Sequence, residues 1–134
     1  MFDDIKFKKL MKSHAKECLE FILGENYEFG VVANLSKVKF DPVLPKEIND
    51  SFKLPVIFFE LAGYTLQSAE IVGETLKFEA GFGEENFAST LTIPFEAIVQ
   101  IIYKKVPIFI NTSTQDESED EKREKSKKIF SLDD

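Results

Sequence analysis

An apolar helical period over residues 3–23, a switch to period two after Gly24 and frequent turn signals beyond it predict an α+β chain that is mostly β. The expected architecture is one N-terminal helix followed by about six or seven short strands in a small antiparallel barrel or sandwich. A third observation bounds that domain. From Thr112 to Lys128 there is no Val, Ile, Leu, Phe, Tyr or Met. Such a stretch cannot bury enough apolar area to offset its ordering entropy, so a disordered tail is expected after a domain of residues 1–111.

In the helix, Phe7, Leu10, Met11, His14, Cys18, Phe21 and Ile22 recur at spacings of three and four, which places them on one face. Lysines and glutamates take the other sides, and Gly24 marks a stop. Phe29, Val31, Ala33 and Leu35 then alternate as a half-buried strand should. Pro42, Pro45 and Pro55 break up any ladder over 41–55, leaving a short helical turn at Pro45-Lys46-Glu47-Ile48. The nearly continuous apolar run Val56–Leu61 predicts a central strand buried on both faces. Tyr64 to Val72 is the next expected strand, ended by Gly73-Glu74.

Leu76, Phe78, Ala80 and Phe82 share one face of a further strand, with Lys77, Glu79 and Gly81 opposite. Gly83-Glu84-Glu85-Asn86 predicts a hairpin loop, and Phe87, Leu91 and Ile93 carry the alternation back. Pro94 interrupts it, Phe95-Glu96-Ala97 suits a turn, and Ile98–Tyr103 and Val106–Ile110 make two last strands separated by Lys104-Lys105. No internal repeat is visible.

Composition narrows function. The net charge is −7, and twelve lysines face sixteen acids before Gln115. That balance argues against a nucleic-acid surface, which must be basic to hold phosphates. One Cys excludes an internal disulfide framework and fits a reducing, cytoplasmic compartment. No run of eighteen apolar residues exists, so no membrane span is expected, and the N-terminus lacks the basic-then-apolar order of a signal peptide.

Catalytic chemistry is hard to assemble. His14 and Cys18 are the only His and Cys, and at i and i+4 they supply half of a zinc site at most. Helix-face packing explains them more simply. Glu84-Glu85 reads as a solvated loop pair, and Gly81-Phe82-Gly83 lacks the lysine and following helix of a phosphate loop. No catalytic residue, metal or cofactor is expected. A binding module is favoured, in which a sheet edge accepts an extended peptide as an added strand.

The segments Phe78-Glu79-Ala80-Gly81-Phe82-Gly83 and Leu91-Thr92-Ile93-Pro94-Phe95-Glu96-Ala97-Ile98, the proline-marked Pro42–Ile48 and the tip Ile129-Phe130-Ser131-Leu132-Asp133 occur in an order that resembles the stringent starvation protein B family. Its members deliver ssrA-tagged substrates to the ClpXP protease. The resemblance spans essentially the whole chain. It implies an Sm-like β-barrel after the helix, a homodimer, a peptide groove and no enzymatic activity. It carries the groove to Ala80 first, then Phe78, Phe82 and Gly83, and by extension Phe59, Leu61, Ala62 and Gly63. It also implies that Ile129, Phe130, Ser131 and Leu132 dock on the N-terminal domain of ClpX. Where the family often has two glycines, this chain has Gly83-Glu84.

Taken without the resemblance, Phe78 and Phe82 suit core as well as groove, and the apolar tip suits a segment folded back on the domain as well as a hook for a partner. The rival reading of the whole chain is an Sm-like or related small barrel that binds RNA. A small hydrolase or ligand-binding barrel with a deep polar-lined cavity is a third.

Overall fold

The computed structural model describes residues 1–115. The tip Ile129-Phe130-Ser131-Leu132 and the polar stretch beyond Gln115 lie outside the described residues.

Helix α1 (Ile5–Gly24) starts at Asp4, whose carboxylate accepts the Lys6 N–H at 2.7 Å and satisfies a donor the helix leaves open. It ends at Gly24, the expected stop, but the left-handed residue is not that glycine. Asn26 instead takes the left-handed position (φ 58°). Tyr27 N–H reaches Ile22 O (3.2 Å) and Asn26 N–H reaches Leu23 O (3.0 Å), the paired bonds of a Schellman ending. The buried face is Ala15, Leu19 and Ile22, with Met11 and Cys18 packed beside it. Leu10, His14 and Phe21, expected on that face, are exposed instead. Ala15 and Leu19 complete the inner stripe, and those three residues fall about a third of a turn to its side.

Eight strands follow among the described residues: β1 (Phe29–Asn34), β2 (Lys39–Asp41), β3 (Val56–Leu61), β4 (Glu70–Val72), β5 (Thr75–Phe82), β6 (Phe87–Pro94), β7 (Ile98–Tyr103) and β8 (Val106–Ile110). Two short helices interrupt them, α2 (Lys46–Ser51) and α3 (Gly63–Ser68). The strands form two four-stranded antiparallel sheets, ordered β3-β1-β7-β8 and β2-β6-β5-β4. The chain is thus a mixed α/β protein with its helix first and two antiparallel sheets after it.

The core lies between the sheets, built from alternate residues such as Val31, Leu61, Leu76, Phe78, Leu91, Ile93 and Ile101, all nearly inaccessible. Helix α1 covers one end, packing on β7, β8 and the short turn Phe95–Ala97. Lys12 fastens it there through ion pairs with Glu74 and Glu96. Asn111 closes the strands: its N–H donates to Val99 O (2.8 Å) and its side-chain amide to Ile98 O (3.2 Å). Thr114 N–H then donates to Phe2 O (2.8 Å), so the first residues of the polar stretch run back along the N-terminus.

Two strand expectations are corrected. Val56–Leu61 forms an edge strand, not a central one, with Phe58 55% exposed; it is apolar outside because its ring covers Gly30. Tyr64–Val72 is not one strand. Its first part is α3, anchored by buried Leu66, and only Glu70–Val72 pairs with β5. An apolar residue every few positions over so short a run does not separate the two periods. Gly63, with φ +53°, turns the chain there from one sheet towards the other. No described helix is long and apolar enough to cross a membrane.

Candidate functional site

Strand β5 is paired with β6 along its full length, from Thr75↔Pro94 to Phe82↔Phe87. Its other neighbour, β4, reaches only from Thr75 to Lys77. Beyond Lys77 that backbone edge has no strand partner among the described residues. Helix α3 packs there instead, and Ser68 Oγ accepts the Glu79 N–H at 2.9 Å. Backbone groups alternate sides along a strand, so Gly81 presents its N–H and C=O on the same edge as Glu79. The Asn86 side chain folds back from the hairpin loop over Gly81, so that a Cβ there would stand 1.7 Å from Asn86 Oδ1 and push that side chain aside.

The side chains beside this edge grade from core to surface. On the inner face of β5, Leu76 and Phe78 are fully buried, whereas Ala80 and Phe82 are half-buried. Phe78 meets Phe59 edge-on at 5.6 Å between ring centroids, and Phe59 meets Phe82 at 6.4 Å. Phe82 meets Phe40 at 5.8 Å, and Phe40 stacks on Phe52 at 6.5 Å. This ladder of rings leads from the core to α2. A groove of about 850 Å³ elsewhere is larger, but here a hollow of about 660 Å³ opens between α2 and the β5–β6 hairpin. Ile48, Phe52, Phe82 and Phe87 line it, and Glu47, Glu84 and Glu85 stand around it. Gly83, at φ +74°, turns the chain so closely over Ile48 that a Cβ would lie 3.3 Å from its Cδ1.

The residues singled out in the sequence separate into two layers. Ala80, Phe82, Gly83, Ala62 and Gly63 reach solvent, the last two at the start of the helix that packs on β5. Phe59, Leu61 and Phe78 are buried at 6%, 0% and 1% exposure and form the wall behind them. Ile48, Phe52, Gly81, Tyr64 and Ser68 belong to the same region and were not legible as such. Ile48 and Phe52, spaced by four after Pro45, carry the one pattern that points to them. Tyr64 donates its hydroxyl to Glu79 Oε2 at 2.5 Å, and that bond raises its pKa. Ser89 is buried and donates to Pro42 O at 2.8 Å, which holds β6 against the loop leading to α2.

The larger hollow lies on the outer face of the β3-β1-β7-β8 sheet, among Tyr27, Phe58, Tyr103, Lys104 and Lys105. It offers exposed rings and borders the edge strand β3, with the Phe58 ring lying over Gly30. The outer face of the other sheet is polar, with Asp41, Glu70, Lys77 and Glu79 interleaved with Thr90 and Thr92. No group of three or more metal-ligand side chains occurs among the described residues. His14 is exposed, and partial burial pushes the Cys18 thiol up in pKa, away from the reactive thiolate. In comparison with known proteins, the chain matches no family model and no curated sequence.

Proposed function

We propose that this chain is a cytoplasmic, non-enzymatic proteolysis adaptor of the stringent starvation protein B type, and that its two sheets are an Sm-like barrel. In this reading an ssrA-type degradation tag lies extended along the free edge of β5, hydrogen-bonding to Gly81 and placing side chains against Ala80 and Phe82. Ala62 and Gly63 flank it from the start of α3. The observation that supports the reading is the short fourth strand: four-stranded pairing stops at Lys77, and beyond it small and half-buried residues lie beside backbone that has no strand partner among the described residues. Strand addition needs those two features together, because the backbone supplies affinity and the alternate side-chain sites supply selectivity.

The tip Ile129-Phe130-Ser131-Leu132 docks on the N-terminal domain of ClpX, so cargo and unfoldase are joined through one chain. Two weak contacts linked in this way gain avidity without any new contact surface. The homodimer forms through the exposed apolar stripe of α1, Leu10 and Phe21 with His14 between them. The acidic charge supports a peptide partner over RNA.

Degradation of an ssrA-tagged fluorescent protein by ClpXP tests the proposal. At substrate concentrations below saturation the chain should accelerate the reaction. A chain that neither accelerates degradation nor binds the tag would remove the adaptor reading.

A further inference from the structure

Resting on the peptide-groove reading, we propose that the hairpin end of the groove selects a cationic residue. The peptide segment seated beside Gly83 then carries an aromatic or large aliphatic side chain next to a Lys or Arg. The floor there is apolar, made by Ile48, Phe52, Phe82 and Phe87, and takes an uncharged side chain. The rim has one sign of charge. Glu47 stands on α2, and Glu84 and Glu85 on the facing loop. None of the three is in an ion pair among the described residues. Lys46, the cation nearest in sequence, is one residue from Glu47, a spacing at which helical side chains point apart.

Three carboxylates facing one another across an apolar floor make a local negative field, which favours a cation there and disfavours an acid. Phe82, the last residue of β5, and Gly83 after it also line this hollow, so in this reading one extended segment engages both. The carboxylates are solvated, so each contact adds little by itself and weakens with salt.

A substitution scan with the full chain decides this. The probe is an ssrA-tag peptide, fluorescein-labelled, with each position changed in turn to Lys, Gln or Glu. At one or more positions affinity should fall in the order Lys, Gln, Glu, by about two- to tenfold overall. That order should flatten in 0.5 M salt (roughly a 4 Å screening length) and in the Glu84→Gln/Glu85→Gln variant, with Glu47→Gln as an independent check on α2. A scan with no such position, or an order that persists in both variants, overturns the inference and leaves the groove reading standing. Failure of every peptide, the unmodified tag included, overturns the groove reading and the inference with it.

Discussion

Ala80 is the residue on which the proposed groove turns. It stands between Phe78 and Phe82 on the inner face of β5, yet it is half-buried where Phe78 is sealed. Ala80→Gln adds an amide where a peptide would approach and leaves its polar atoms poorly paired. The expected result is a loss of tag affinity of about tenfold or more with the fold retained, read by calorimetry and circular dichroism. Phe78→Ala should behave differently. It empties a fully buried site that contacts Phe59, so it should cost about 3–5 kcal/mol of stability in a denaturant titration. The alternation Leu76, Phe78, Ala80, Phe82 was legible in the sequence, but the exposure gradient along it was not. That gradient depends on where β4 stops and on which rings come from β2, β3 and α2. Another residue-scale strain lies at Lys104 and Lys105, whose φ values of 47° and 67° are left-handed without the glycine such a turn favours. Lys105→Gly should stabilise the fold by about 0.5–1 kcal/mol in the same titration.

At the scale of elements, α1 does two things. Its inner face, Ala15, Leu19 and Ile22, seals one end of the core, while Leu10 at 47% and Phe21 at 61% exposure form a second apolar stripe. Because the second stripe is outside the core, Leu10→Glu or Phe21→Glu should leave the monomer folded. Under the proposed pairing, sedimentation should show dimer for the unaltered chain and monomer for either variant; dimers in both variants would place the seam elsewhere. Lys12 adds ion pairs to Glu74 and Glu96 beside the buried inner face. Its bond to Glu74 raises the lysine pKa, with the charge of Glu96 adding to it, and the same bond lowers that of Glu74. Glu74 therefore contributes stability above the ordinary carboxylate range, lost as pH falls through its lowered value. Lys12 contributes below the ordinary lysine range, lost as pH rises through its raised one. Lys12→Met should flatten both limbs of the melting-temperature profile between pH 3 and pH 11. The helix itself was legible from its period, but its rotation was not, since Ala15 and Leu19 look neutral beside Phe21 and Leu10. Strands β5 to β8 were legible through alternation and turn residues. Helix α3 was not, because six residues with one apolar anchor fit either period.

For the whole molecule, the meaningful feature is unequal strand length. A sheet whose fourth strand is three residues long leaves the far half of an eight-residue neighbour without a strand partner, and α3, which follows β3, packs there. Sequence order alone could not show this, because it depends on β3 and β4 ending neighbouring edges of two different sheets. In the proposed function the tag site and the ClpX-docking tip are separate. Deleting residues 129–134 should thus leave tag affinity unchanged and abolish the acceleration of ClpXP degradation. The most direct test of the central claim is a ¹⁵N–¹H NMR titration of the full chain with an ssrA-tag peptide. The account predicts shifts centred on Glu79–Gly83 and on Ala62 and Gly63, with the Gly81 amide newly protected from exchange. Shifts confined to the hollow around Tyr27, Phe58 and Tyr103, or no shifts at all, would contradict it.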